Sequence, residues 1–381
     1  MDKRLEQPNA GLKSKRRFIF ISILALTLFG VLMIYESSSV YAFKVYGDPA
    51  YFLKRQILFF LFGLAAFFST LFVEIDFLKR YNKEFLLFTI LTLVVVAFFG
   101  QKGGGARRWF SLAGFNIQPS EILKVTFLLY CADYCQRKGN TLRNIKNGLI
   151  PLGVVLASVC ILLILQPDLG TAAFWVIWAI FFLFICNANL RHLAIVIGIG
   201  LLTAFFLVKF SPYRARRMTS YFNPFADPQG AGFQLVQSQI AYGEGGLCGV
   251  GFGEGRQKLS FLPASHTDFV FSIIAEEFGL WGVLGIMMLF FILFHIMFFI
   301  ARAQRDGFKS GVLWGIILIF FLEVAANIGV SCGLFPTKGL PLPFISYGGS
   351  NLVVHYILLG LFFNASRVDN CKVNHEDLIG L

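Results

Sequence analysis

Four stretches of the chain put ionisable side chains and mobile backbone where chemistry could be done. The first is Gln118-Pro119-Ser120-Glu121-Ile122-Leu123-Lys124. Glu121 and Lys124 stand three apart, so they share a helix face and can pair. They form either a helix-end salt bridge that snorkels to an interface or one charged wall of a polar cavity. Just upstream, Gly103-Gly104-Gly105-Ala106-Arg107-Arg108-Trp109 supplies two guanidinium groups on flexible backbone. The second stretch, Gln166-Pro167-Asp168-Leu169-Gly170, reads as a tight turn set by Pro and Asp. The third, 209–268, carries Arg214, Arg216 and Arg217, then Gly243, Gly245, Gly246 and the alternating run Gly249-Val250-Gly251-Phe252-Gly253-Glu254-Gly255. That run lacks the G-x-G-x-x-G spacing of a dinucleotide site. It is either a flexible loop or a backbone able to lie against a phosphate-bearing ligand, with Arg256 and Lys258 among the counter-charges. The same stretch ends in His266-Thr267-Asp268-Phe269, and Asp268 is either a helix-start acid favoured by the dipole or a general base beside a cavity. The fourth runs from Leu334 to Asn351. Its three prolines forbid a continuous helix, and Lys338, Ser346, Tyr347 and Ser350 would line the same opening.

The elements that must position these residues follow from composition. Of 381 residues, 57% are hydrophobic and 14% charged, with 46 phenylalanines. A soluble domain carries about 25% charged residues and needs them to cover its surface. Disorder is excluded by the same numbers. Ten apolar runs qualify as spans at 18–35, 57–73, 85–99, 122–135, 149–165, 171–186, 193–208, 278–300, 312–330 and 351–363. None alternates as a barrel strand would. The expected fold is therefore an all-α polytopic membrane protein of ten transmembrane helices. It divides into an N-terminal tail 1–17, a membrane domain 18–365 with a long loop 209–268 between helices 7 and 8, and a tail 366–381.

Lys and Arg set the orientation: 19 fall on the side of the termini, against 7 in the opposite short loops and 6 in the long segment. Both termini are expected to be cytoplasmic and the long loop extracytoplasmic. Val40-Tyr41-Ala42 resembles a cleavage site, but the first apolar run exceeds a signal peptide's core, so an uncleaved signal-anchor is expected. The net charge of +12 is what topology and anionic membrane lipids require, and no nucleic-acid partner is expected. Cys131 and Cys135 read as packing residues, and a disulfide between Cys248 and Cys332 is open. Glu276 and Glu277 are adjacent, so they should point to different faces and not form a carboxylate pair. Glu323, inside the ninth span, needs a buried partner, for which His355 is one candidate.

Taken in order, Gly105-Ala106-Arg107-Arg108-Trp109, Gln118-Pro119-Ser120-Glu121, Gln166-Pro167-Asp168-Leu169-Gly170-Thr171-Ala172, His266-Thr267-Asp268-Phe269 and Phe344-Ile345-Ser346-Tyr347-Gly348-Gly349-Ser350 closely resemble the SEDS family of bacterial membrane proteins. Pro336-Thr337-Lys338-Gly339 is similar to the division member rather than the elongation member. The resemblance implies a peptidoglycan glycosyltransferase that polymerises lipid II at the outer face of the cytoplasmic membrane, at the division site. It implies a class B penicillin-binding protein, a transpeptidase, as partner, together with other divisome proteins. It places the essential acid on Asp268. Two positions depart from many relatives, Ala264 where a Glu is common and Asn116 where some have Arg.

The expected site therefore has Asp268 as catalytic base. Arg107, Arg108, Glu121, Lys124, Arg214, Arg217, Lys258, His266, Thr267, Lys338, Ser346 and Ser350 would contact substrate. The residues specify no cofactor, and a divalent cation could share in holding a pyrophosphate. A flippase for the same lipid and a passive divisome scaffold are the competing classes.

Overall fold

The computed structural model describes residues 7–103, 106–112, 115–230, 232–259, 262, 265–337 and 339–367. The helices are α1 (Gln7–Tyr46), α2 (Tyr51–Phe72), α3 (Ile75–Arg80), α4 (Asn82–Phe99), α5 (Pro119–Lys138), α6 (Ile150–Leu165), α7 (Leu169–Ile185), α8 (Leu190–Lys209), α9 (Pro212–Phe222), α10 (Phe233–Gly245), α11 (Val270–Ala303), α12 (Gly307–Ser331) and α13 (Gly349–Ala365). Each apolar run expected from the sequence falls on one of these helices. Among the described residues, seven helices are long and apolar enough to cross a membrane, and α7 and α13 are shorter apolar helices. The protein is an integral membrane protein.

The helix ends follow local rules. Pro119 opens α5 and Pro212 opens α9, where a missing N–H costs nothing. Asp168, Asn189 and Asp306 cap α7, α8 and α12 by accepting from the backbone N–H groups of Thr171, Arg191 and Lys309. Helix α5 has Glu121, Lys124, Asp133 and Arg137 along it and cannot face lipid. It sits inside, against α4, α12 and α13. Around it Phe127, Trp175, Trp178 and Phe182 stack, and Trp178 Nε1 donates to the Gly315 carbonyl at 3.1 Å. Gly315 lets α12 approach closely, because a β-carbon there would collide with Leu128.

Two expectations need correction. The fold is not purely helical: β1 (Gln101–Gly103), β2 (Ala106–Leu112) and β3 (Phe115–Ile117) form an antiparallel sheet in order β1-β2-β3. Three short strands split by Gly and Ala lie too close together to show a period in the sequence. The long segment is also not a plain loop, because α9 and α10 lie within it. The glycine run serves the fold rather than a ligand. Helix α11 breaks at Gly279, whose φ of 63° is left-handed. The break exposes the carbonyls of Glu276 and Glu277, which accept from Val250 N (3.0 Å) and Gly251 N (3.1 Å). In return Gly246 O accepts from Leu280 N at 3.0 Å. Gly249, at φ 80°, presses so closely on the Glu277 carbonyl that no β-carbon fits.

Gly249→Ala is therefore expected to destabilise the protein. Left-handed strain alone costs about 1–2 kcal/mol, and the Glu277 carbonyl must also move. The thermal midpoint in detergent should fall, whereas Cys248→Ala, at an exposed neighbour, should leave it within the small range of surface changes.

Candidate functional site

Helix α12 carries polar residues at Glu323, Asn327 and Ser331, one turn apart on one face. Each holds a different part of the molecule. Glu323, fully buried, meets Lys124 Nζ at 2.5 Å and His355 Nε2 at 2.6 Å. Lys124 also pairs with Glu121 at 2.6 Å, and Asn351 Nδ2 donates to Glu121 Oε2 at 2.9 Å. One chain of ion pairs and hydrogen bonds thus joins α5, α12 and α13. The expected Glu121–Lys124 pair forms, as does the Glu323–His355 contact, but the two are a single network.

One turn along, Asn327 Nδ2 donates to the backbone oxygens of Asp268 (2.9 Å) and Leu340 (2.7 Å). Asp268 is half-buried just before α11, with its carboxyl packed on Gly339, where a β-carbon would lie 2.7 Å from Oδ2. Thr267 is half-buried beside it. Ser265 Oγ donates to the Ser37 carbonyl at 3.0 Å, and His266 O accepts from Tyr347 N at 2.9 Å. The His266 ring packs on Phe52, Tyr41 and Tyr347. Burial among these rings pushes the imidazole down to about 4, so it is neutral near pH 7. Burial likewise pushes the Tyr347 phenol up to about 12. His266 is a wedge that fixes the loop against α1 and α2. One further turn along, Ser331 O accepts from Ser238 Oγ (2.6 Å) and Ser331 Oγ meets Tyr242 Oη (3.0 Å), which docks α10.

The expected cations separate by surroundings. Arg107 donates to the Phe98 carbonyl and is exposed. Arg108 donates to the carbonyls of Gln166 (3.3 Å) and Pro167 (2.5 Å) and lies 3.8 Å from Asp168, so it braces the α6–α7 turn. Arg214 donates to Leu207 O at 3.2 Å and borders a cavity of about 300 Å3 lined otherwise by Thr203, Phe206, Leu207, Phe210 and Ser211. Arg217 is exposed on α9. Lys338 lies outside the described residues. Ser346 Oγ accepts from Leu342 N at 2.9 Å and is buried, whereas Ser350 Oγ donates to Asn116 O at 3.0 Å and ties β3 to α13.

Lys258 is committed within the protein. Its ammonium, 7% exposed, bonds Glu36 of α1, Glu277 of α11 at 2.8 Å and the Gly253 carbonyl at 2.6 Å. Burial lowers its affinity for the proton, but the two carboxylates more than offset this and hold its pKa above the ordinary value. Glu276 accepts from the N–H groups of Arg256 (2.5 Å) and Gln257 (3.2 Å). Both adjacent acids therefore turn to one loop and come together beside Gly255, against the expectation from helical spacing that they point to different faces. Cys248 and Cys332 are both free thiols. Among the described residues no group of three His, Cys, Asp or Glu converges to hold a metal.

Asn327 and Ser331 were not singled out by the sequence reading. The signal was the i, i+4, i+8 polar spacing with Glu323 inside an otherwise apolar run.

Such an arrangement, with paired charges buried among membrane helices and an acid held between two loops, defines a polytopic membrane protein with a polar site at one end of its bundle. The family described as Cell cycle protein, which spans FtsW, RodA and SpoVE, matches residues 16–370, and the chain belongs to it. It is 40% identical over 353 residues to the probable peptidoglycan glycosyltransferase FtsW of Trichlorobacter lovleyi, covering 91% of this chain and 92% of that one. It is 37% identical to the stage V sporulation protein E of Bacillus subtilis, covering 92% and 96%. A solved structure described as structural coordination of polymerization and crosslinking by a peptidoglycan synthase complex superposes with a TM-score of 0.75 at 28% identity, covering 92% of this chain and 96% of that one.

Lys124→Met leaves the fully buried Glu323 and the part-exposed Glu121 without their lysine and should cost about 3–5 kcal/mol. The double variant Lys124→Met/Glu323→Gln removes one stranded charge and should recover part of that loss in detergent unfolding.

His266 adds an acid-side dependence. Its folded pKa lies below the ordinary 6.5, so its contribution to stability is complete above that pH and is lost as pH falls from 6.5 towards 4. His266→Phe keeps a ring and removes the proton site. The difference between the wild-type and variant melting curves should therefore grow below pH 6.5 and be flat above it.

Proposed function

We propose that the protein is a peptidoglycan glycosyltransferase that polymerises lipid II at the outer face of the bacterial cytoplasmic membrane, with Asp268 as general base. The observation that carries this reading is the half-buried Asp268 carboxyl, held between the loop 265–269 and the loop that includes Gly339. Ten helices cross the membrane, both termini are cytoplasmic, and the end that holds 209–268 faces outward. The positive-inside asymmetry and the gathering of the site loops at one end support that orientation.

Asp268 takes the proton of the acceptor sugar's 4-hydroxyl as that oxygen bonds to the anomeric carbon of the donor. The anomeric bond to the prenyl pyrophosphate breaks, and its electron pair leaves on the phosphate oxygen. Arg107, Arg108, Arg214, Arg217 and Lys338 offset the charge that develops there. Arg214 beside an apolar cavity suits a phosphate head with a hydrocarbon tail. Glu121, Lys124, Thr267, Ser346 and Ser350 shape the walls of the same opening. The name FtsW among the relatives supports a division role, at the division site and with other divisome proteins, and the resemblance to a solved complex described as coordinating polymerization and crosslinking supports a class B penicillin-binding protein as partner.

Transport of the same lipid is the second reading, favoured by the charged chain buried deep among α5, α12 and α13. The test is polymerisation of fluorescent lipid II by the purified protein. Asp268→Asn, equal in size but unable to take the proton, should lower turnover by about 10²–10⁴-fold while the melting temperature holds. Undiminished polymer from that variant rejects Asp268 as base. Lipid movement into vesicles without polymer from the wild type would favour transport.

A further inference from the structure

We propose that Asn327 is the positioning residue for Asp268: its side-chain amide joins the backbone of 268 to that of 340 and thereby sets where the carboxyl stands. This rests on the reading of Asp268 as base. Asp268 is on a segment without regular structure that precedes α11, and a carboxylate on such a segment has no helix to aim it. Two neighbouring residues have ties of their own. Ser265 bonds α1 through Ser37, and His266 O accepts from Tyr347 N. Asn327 spends both amide hydrogens on carbonyls, 2.9 Å to Asp268 O and 2.7 Å to Leu340 O. The amide orientation follows from chemistry, because two carbonyl oxygens facing Oδ1 would repel it. Oδ1 has no hydrogen-bond partner among the described residues, and the side chain is 1% exposed.

The clamp also sets the neighbour. Leu340 follows Gly339, whose α-carbon is the floor under the Asp268 carboxyl, and Lys338 precedes it in sequence. Drawing 268 and 340 onto one amide holds the acid and the lysine-bearing loop in register. Asn327 itself is rooted in α12, four residues from Glu323, whose bonds to Lys124 and His355 fix the helix against α5 and α13. The acid is thus placed through its backbone by a rigid helix.

The experiment uses the full-length protein in detergent, fluorescent lipid II as substrate, and hydrogen exchange read by mass spectrometry. Asn327→Ala should lower kcat on the order of 10²-fold, the scale for a misplaced reacting group, with KM changed less than about threefold. Amides in 265–269 and 339–343 should exchange faster while those of α5 and α13 do not. Asn327→Asp adds a pH readout. As a carboxylate it repels both carbonyls, and when protonated it can donate to one, so its activity relative to wild type should rise as pH falls. Turnover within twofold of wild type in Asn327→Ala, or faster exchange spread evenly over the bundle, overturns the proposal. If Asn327→Ala does not fold, Asn327→Ser and Asn327→Asp carry the same exchange comparison. Full polymerisation by Asp268→Asn would remove the base while leaving the exchange result to decide the clamp.

Discussion

A polar group inside a membrane helix has no water to turn to, and that constraint organises this protein. Each polar residue on the inner face of α12 has to find a partner on another segment, and a different segment answers each one. Glu323 recruits Lys124 and His355, Asn327 the two site loops, and Ser331 the helix α10. Leaving such a group unpaired in low dielectric costs more than the pairing gains, so the pairings act as requirements rather than options. Packing alone would not set these positions. Apolar helices in lipid slide against one another at little cost, and small residues such as Gly315 only decide how close they come.

The long segment between α8 and α11 meets the same requirement with main-chain groups. Breaking α11 at Gly279 frees carbonyls that would otherwise be satisfied within the helix. The glycine run supplies the amides that take them up, and Lys258 closes the contact by binding Glu277 and Glu36 together. A loop attached through backbone exchange and one buried lysine cannot lift away without stranding several polar groups. That is why residues distant in sequence, such as Glu36 and Lys258, belong to one rigid unit.

The helices were legible because their cause is local. A run of apolar residues long enough to cross lipid is a property of consecutive positions, and the expected boundaries meet the observed helices with differences only at the ends, where polar residues such as Asp168 and Asn189 cap them. The pairing of Glu121 with Lys124 was legible for the same reason. Glu276 and Glu277 misled because helical spacing describes where side chains leave a cylinder, and not how their far ends bend to the amides and the lysine of residues 256–258. The sheet 101–117 and the helices α9 and α10 were missed, since short polar segments packed on a bundle owe their form to what they cover. Lys258 was read as free for a ligand, and only the fold shows the two acids that claim it.

Of the groups around Asp268, the strongly bonded ones are structural and the acid itself is held through its backbone. Fixing the main chain places the group against the floor formed by Gly339. The Glu121–Lys124–Glu323–His355 chain is held through its side chains instead. The two suit different tasks. A closed ion network gives rigidity to helices that lipid would let slide, and a carboxyl anchored by its carbonyl can accept a proton without dissolving the structure that aims it.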